Sequence, residues 1–263
     1  MTLTQQQAGQ EATLLVVDDG PLRVLTLNRP AARNAIDLAT AVAIEAAIDE
    51  YEARSDLRTL IITGAGGTFC AGMDLKAFLR GERPSTPRRG FAGLVELPPS
   101  KPIIAAVEGQ AVAGGFEIVL ACDMVVAAED AWFALPEVMR GLVAAGGGLL
   151  RLPQRMPFHR AVELALTGAR LQAVDAERHG LVNRLTPPGQ ALAGARELAG
   201  LVAANGPLAV AATKRILYES RHWPAAEAFR RQRELSEPVR RSDDAQEGAR
   251  AFLEKRAAVW NGS

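Results

Sequence analysis

Histidine, cysteine and lysine are all scarce in this 263-residue chain, and each shortage closes a class of function. The three histidines, His159, His179 and His222, stand in no metal-ligand spacing, so no metal centre is expected. The two cysteines, Cys70 and Cys122, lie in apolar or glycine-rich stretches and form no disulfide framework. Buried thiols in a reducing compartment are expected instead. Only four lysines occur, Lys76, Lys101, Lys214 and Lys255, so positive charge rests almost wholly on arginine. The 30 basic residues balance the 30 acidic ones, which argues against a broad nucleic-acid footprint. No uncharged run reaches the roughly 18–20 residues of a membrane span. The opening MTLTQQQAGQEA has neither a basic n-region nor an apolar h-region, so no secretory leader and a cytoplasmic location are expected. There is no Walker A motif and no G-x-S-x-G elbow. GAGG at 64–67 begins like a dinucleotide fingerprint, but Phe69 occupies the third glycine position.

What the chain has is ordinary globular material, 48% hydrophobic and 23% charged, enough for a sizeable core. Residues 13–28 read as two strands joined by the turn signal Asp-Asp-Gly-Pro. Asn34 is placed to cap a helix with the apolar face Leu38, Ala41, Ile44, Ile48, Tyr51, at steps of three and four. TLIIT (59–63) and IIAAV (103–107) read as buried strands, each followed by a glycine turn and a helix, the first helix starting near Asp74. DMVVAA, AWFAL and LVNRL (181–185) add strands, and PSTPRR (84–89) reads as a surface loop of low order. Strand, glycine turn, helix recurs, so the class is α/β. From about residue 191 the pattern turns helical. The expected division is a core over 1–195 and a helical region over 196–263.

Glu117 is the residue that needs explaining. It sits in AVAGGFEIVLACDM (111–124), an apolar run, and a buried ionised carboxylate costs several kcal/mol unless it is paired, neutralised or used. Gly114 and Gly115 precede it at a helix start, and GTFCAGMDLK (67–76) places a second glycine-rich helix start elsewhere. Free N–H groups at two such starts, aimed at one oxygen, would form an oxyanion hole. Glu137, after a proline in FALPEV (133–138), is a second carboxylate in an apolar setting. Two such groups suit general acid/base work on a shared water.

The combination resembles the enoyl-CoA hydratase/isomerase, or crotonase, superfamily. The resemblance is carried by LNRPAARNAI (27–36), GAGGTFCAGMDLK (64–76), KPIIAAVEGQAVAGGFEIVLACD (101–123), FALPEVMRGLVAAGGG (133–148), GLVNRL (180–185) and EGARAFLEKR (247–256). It implies a spiral of repeated β-β-α units followed by a helical trimerisation region, giving a homotrimer or a homohexamer built as a dimer of trimers. It implies Met73 and Gly114 as the oxyanion N–H donors and Glu117 and Glu137 as the catalytic pair, without saying which is acid and which is base. Coenzyme A, part of the substrate rather than a separate cofactor, is expected around Ala35, Ala71 and the segment Met73, Asp74, Leu75, Lys76. Lys76, and Lys255 reaching a neighbouring subunit, match positions near its phosphates. Relatives often carry proline where this chain has Ala144, in a loop bordering the acyl pocket.

The activity expected from the resemblance is hydration of a trans-2-enoyl-CoA. Carnitinyl-CoA dehydratases share the motifs GGFE, FALPE, LLRLP and the tail, so a specialised acyl-CoA hydro-lyase is the nearest alternative. A double-bond isomerase is disfavoured by the presence of both glutamates. A non-catalytic acyl-CoA- or RNA-binding role is disfavoured too, since helix 35–54 carries Asp37, Glu45, Asp49, Glu50 and Glu52 against Arg54 alone.

Overall fold

The computed structural model describes residues 12–263; the residues before them, where the absence of a leader was read, lie outside the described part. The chain opens with an antiparallel pair, β1 (Leu14–Asp19) and β2 (Leu22–Leu27), turned at Gly20. α1 (Leu38–Ala53) follows, then β3 (Thr59–Gly64), α2 (Leu75–Leu79) and a small hairpin of β4 (Ser85–Thr86) and β5 (Gly90–Phe91). Next come β6 (Ile103–Val107), β7 (Gln110–Val112), α3 (Gly114–Ala121), β8 (Met124–Ala128) and β9 (Trp132–Ala134). After α4 (Gly148–Arg155) and α5 (Phe158–Thr167) stand β10 (Leu171–Gln172), α6 (Ala173–Arg178) and β11 (Arg184–Thr186). The end is helical, with α7 (Ala191–Ala203), α8 (Pro207–Glu219), α9 (Ala228–Arg240) and α10 (Asp243–Glu254).

The spiral shows in how strands are shared between sheets. The large sheet runs β1-β2-β3-β6-β8-β11, parallel from β2 onward, and a second sheet runs β10-β9-β7. Each turn gives one strand to the first sheet and the next to the second: β6 then β7, β8 then β9. In the first turn, β3 is followed by the single bridge Cys70–Ala111, which occupies the place of a second strand. The central strands are apolar on both faces, as parallel strands covered on both sides must be. One face packs on α1 and α3 around Ile44, Ile62, Ala105 and Phe116, the other on α7 around Ala195 and Ala199.

Several expectations need correction. Asn34 does not cap α1. It lies at φ +55°, and its side-chain amide donates to the Ala65 and Thr68 carbonyls; Asp37 is the cap, accepting from Thr40 N–H. The acidic face of α1 is not bare, because Arg88 and Arg89 pair with Asp49, Arg88 with Glu45, and the buried Arg23 with Glu50. PSTPRR is not a loose loop: it enters the β4–β5 hairpin, with Thr86 and Arg89 buried. LVNRL is strand only from Arg184; Leu181 and Val182 are core residues and the Asn183 side chain accepts from Val125 N–H. The expected boundary at 195/196 falls inside α7, which packs along the sheet. Among the described residues, no helix is long and apolar enough to cross a membrane.

The two interior lysines are structural. Lys101 Nζ donates to the carbonyls of Tyr51, Arg54 and Leu57 at the end of α1. Lys214 Nζ, on α8, donates to the carbonyls of Pro99 and Lys101 and to Asp123, which fastens the helical region to the end of α3. That leaves Lys76 and Lys255 as the two exposed lysines.

Candidate active site

Two N–H donors are assembled by two different turns of the spiral. Ile36 clamps the Met73 peptide from both sides, its N–H donating to Gly72 O and its carbonyl accepting from Asp74 N–H. This holds Met73 in place and leaves its own N–H outside the ladder. Gly114 is the first residue of α3, where a helix has no internal acceptor to offer. Among the described residues neither N–H has a hydrogen-bond partner within the chain. The turn before Gly114 is strained: Ala113 sits at φ +54°, and its N–H is anchored on Ala134 O. Gly72 packs so closely that a Cβ on it would stand 3.0 Å from Gly114 N, so the two donor segments are in contact. A Cβ on Gly115 would land on the Cys70 carbonyl oxygen, which explains the second glycine of the pair.

Glu117, one turn into α3, is 4% exposed. Its Oε1 accepts from Gly148 N–H at 2.9 Å, at the start of α4. Burial pushes the carboxyl above its usual range; the N–H groups of Gly148 and Gly146 and the Arg151 charge pull the other way. Glu137 opens a short 3-10 turn (Glu137–Arg140) directly after β9. Its Oε2 is buried without a partner, and burial followed by the neighbouring Glu117 charge raises its pKa. The two carboxyls are near enough for the Glu117 charge to bear on Glu137, and they differ in their hydrogen bonding. Glu117 is held by N–H donors from the start of α4 that favour its anion, while Glu137 has its own N–H in that role and leaves Oε2 without a partner.

The remaining expected residues divide into two groups. Ala35, Ala71, Met73, Asp74, Leu75 and Lys76 come together on two laddered loops, through Ala71 N–H to Arg33 O and the Ile36–Met73 bridge. Within that group the Asp74 carboxylate is already engaged. It caps α2 through the N–H groups of Lys76 and Ala77 and pairs with Arg29, which holds its pKa down against burial. The Ala35 carbonyl also accepts from Arg29. Leu75 and Lys76 are exposed on α2. Lys255 is not brought to this group. It ends α10 at φ +53°, and α10 packs on α9.

Three elements of the site escaped sequence reasoning. A Cβ on Gly146 would stand 2.5 Å from Glu117 Oε2, and one on Gly148 would stand 3.0 Å from its Cγ, so the GGG run wraps this carboxylate. Three glycines before a helix were a readable anion-site signal. Arg151, on α4, reaches back to the same loop. Phe91, on the β4–β5 hairpin, rests on Gly114, and only the fold places it there.

A family model described as enoyl-CoA hydratase/isomerase matches residues 19–263. The chain belongs to the enoyl-CoA hydratase/isomerase family. A carnitinyl-CoA dehydratase of Salmonella typhi is 44% identical over 258 residues, covering 95% of this chain and 98% of its own length. The crystal structure of an enoyl-CoA hydratase from Mycobacterium tuberculosis H37Rv matches with TM-score 0.95 at 51% identity, covering 96% of this chain and all of that one. That of a carnitinyl-CoA hydratase from Mycobacterium avium matches with TM-score 0.78 at 42% identity, covering 97% of this chain and all of that one. With hydratases and dehydratases matching nearly its whole length, this member is a hydro-lyase enzyme with the crotonase fold.

Proposed function

We propose that the protein is an enoyl-CoA hydratase, adding water syn across the double bond of a trans-2-enoyl-CoA. The observation that carries this reading is the pair of carboxyls, one hydrogen-bonded by Gly148 N–H and one with an unpartnered buried oxygen, beside two N–H groups without partners among the described residues. The thioester carbonyl accepts from Met73 and Gly114, which stabilise the negative charge that develops as the enolate forms. Glu117, hydrogen-bonded by Gly148 N–H at the start of α4, takes a proton from water as the water oxygen bonds to C3. Glu137, whose buried Oε2 has no partner and whose pKa is raised by burial and by the Glu117 charge, gives its proton to C2. One proton then returns from Glu117 to Glu137 through the site, which restores both.

Coenzyme A runs along the Ala35 and Ala71 loops with its phosphates toward Lys76, and Lys255 comes from a neighbouring copy in a homotrimer or a dimer of trimers. The setting is cytoplasmic. A second reading, dehydration of carnitinyl-CoA, draws support from the name of the Salmonella typhi relative. Against it stands Arg140, whose positive charge bears on Glu137 and would repel a quaternary ammonium. The following segment offers Leu142 and Val143, exposed and apolar, which suits an alkyl group better. Crotonoyl-CoA and longer enoyl-CoA esters, followed by loss of the conjugated thioester absorbance, test the first reading beside carnitinyl-CoA. Turnover of carnitinyl-CoA alone would replace it with the second.

A further inference from the structure

Arg151 belongs to no catalytic assignment made above, yet it touches both segments that shape the site. It is half-buried on the first turn of α4. Its Nη2 donates to the Val95 carbonyl, four residues beyond Phe91, and its Nη1 donates to the Gly146 carbonyl at 3.4 Å. Gly147, at φ +91°, is open on the side where a Cβ would collide with the same guanidinium. The loop thus has two glycines shaped to Glu117 and, between them, one shaped to Arg151.

We propose that Arg151 is a positioning residue for Glu117: its guanidinium ties the Glu117 cradle to the Val95 segment and sets a permanent positive charge behind the carboxylate. A fork of donors is needed to hold two carbonyls from separate segments, and arginine keeps its charge when desolvated. The charged groups facing this region are few. On α4 they are Arg151 and Arg155; Glu137 bears on Glu117 from the 3-10 turn, with Arg140 behind it; Tyr218 approaches Arg151 and Arg155 from α8, and the buried Cys122 thiol lies toward Arg151 at the end of α3. α3 itself carries no ionisable side chain besides Glu117, and β7, packed on it, carries none. The Arg151 charge bears on Glu117 through space and favours the anion.

The inference rests on Glu117 acting as the base of the proposed hydration. Losing the positive charge raises the Glu117 pKa, so the acidic limb of kcat moves to higher pH. In Arg151→Gln this shift is expected to be about one unit. A fall of up to roughly 10²-fold in kcat should accompany it, because the cradle loosens, while KM for crotonoyl-CoA stays near its original value. Arg151→Lys keeps the charge and loses the fork, so it should return the acidic limb to its original position and recover kcat only in part. A readout independent of turnover is the titration of a carbon-13-labelled Glu117 carboxyl by NMR in the intact protein and in Arg151→Lys and Arg151→Gln. That readout stands even where the protein hydrates none of the esters, a result that would remove the hydratase reading alone. An acidic limb and a carboxyl titration unchanged in Arg151→Gln would overturn the proposal, as would Arg151→Lys shifted as far as Arg151→Gln. If Arg151→Gln does not fold, the Lys variant decides: an unshifted titration with reduced kcat supports the proposal, and unchanged kcat overturns it.

Discussion

Phe91 rests on Gly114: a Cβ added to Gly114 would stand 2.5 Å from Cε1 of that ring. A Cβ at position 114 and the aromatic ring would therefore share one space, and a side chain there must displace the ring. Gly114→Ala should cost roughly 10²-fold in kcat/KM for crotonoyl-CoA, about the loss of one oxyanion donor. Adding Phe91→Ala should make the pair non-additive, with the double variant losing less than the two single losses combined. Tm and kcat/KM measured on the same samples decide this. Additive losses would show that the ring is not what excludes a side chain at Gly114.

The two carboxyls should act as a unit. Glu117→Gln and Glu137→Gln are each expected to lower kcat by roughly 10²–10⁴-fold. The double variant should lose less than the product. Full hydration by Glu137→Gln would remove that residue as the C2 proton donor.

Burial that raises a carboxyl pKa also makes stability depend on pH. Glu137 binds its proton more tightly when folded than when unfolded, so its favourable contribution is complete below the ordinary glutamate pKa of about 4.3. That contribution is lost as pH rises through the higher folded value. Glu137→Gln escapes the loss, so its Tm should exceed that of the unaltered protein near neutral pH and converge with it toward pH 4. Thermal melts across that range, with equal Tm values at pH 7, would contradict the buried, raised carboxyl.

The sequence announced what depends on local spacing and hid what depends on distant packing. Gly114 before Glu117 and the Met73 loop are each a few residues long, so the two glycine-rich helix starts and the buried carboxylate beside one of them were readable. The capping of α1 was misread because Asn34 and Asp37 are both good caps; Asn34 is drawn away by the carbonyls of Ala65 and Thr68, which only the fold supplies. Phe91 was invisible as a site residue because its hairpin looked like a polar loop, with Arg89 held inside by Asp49. Lys76 and Lys255 are left exposed because Lys101 and Lys214 are engaged by backbone carbonyls and, for Lys214, by Asp123, which only the fold shows.

The exposed lysines carry the coenzyme A expectation. Lys76→Ala should raise KM without changing kcat, by roughly fivefold if the contact is worth about 1 kcal/mol at an exposed site. Lys255→Ala should do the same only if a second copy delivers it, since α10 packs on α9 rather than on α2. Steady-state KM, read beside the oligomeric state by light scattering, tests both. An unchanged KM in Lys255→Ala, with the oligomer intact, would remove it from the substrate site.

The fastening of the helical region to the core depends on Lys214 and Asp123, which meet at 2.7 Å with both side chains largely buried. Asp123 Oδ2 also accepts from Ile103 N–H; among the described residues its Oδ1 is buried with no partner and Lys214 supplies its only counter-charge at hydrogen-bond distance. Lys214→Met would keep the apolar stem and strand the carboxylate together with the carbonyls of Pro99 and Lys101. Breaking a buried pair from one side costs about 3 kcal/mol or more, so Tm should fall by several degrees. Lys214→Met combined with Asp123→Asn should recover part of that loss, because no unpaired charge remains buried. Since the pair lies at the end of α3 away from Gly114, kcat of the folded variants should stay near its original value. A Lys214→Met protein as stable as the parent would show that α8 is held to the core by its apolar contacts alone.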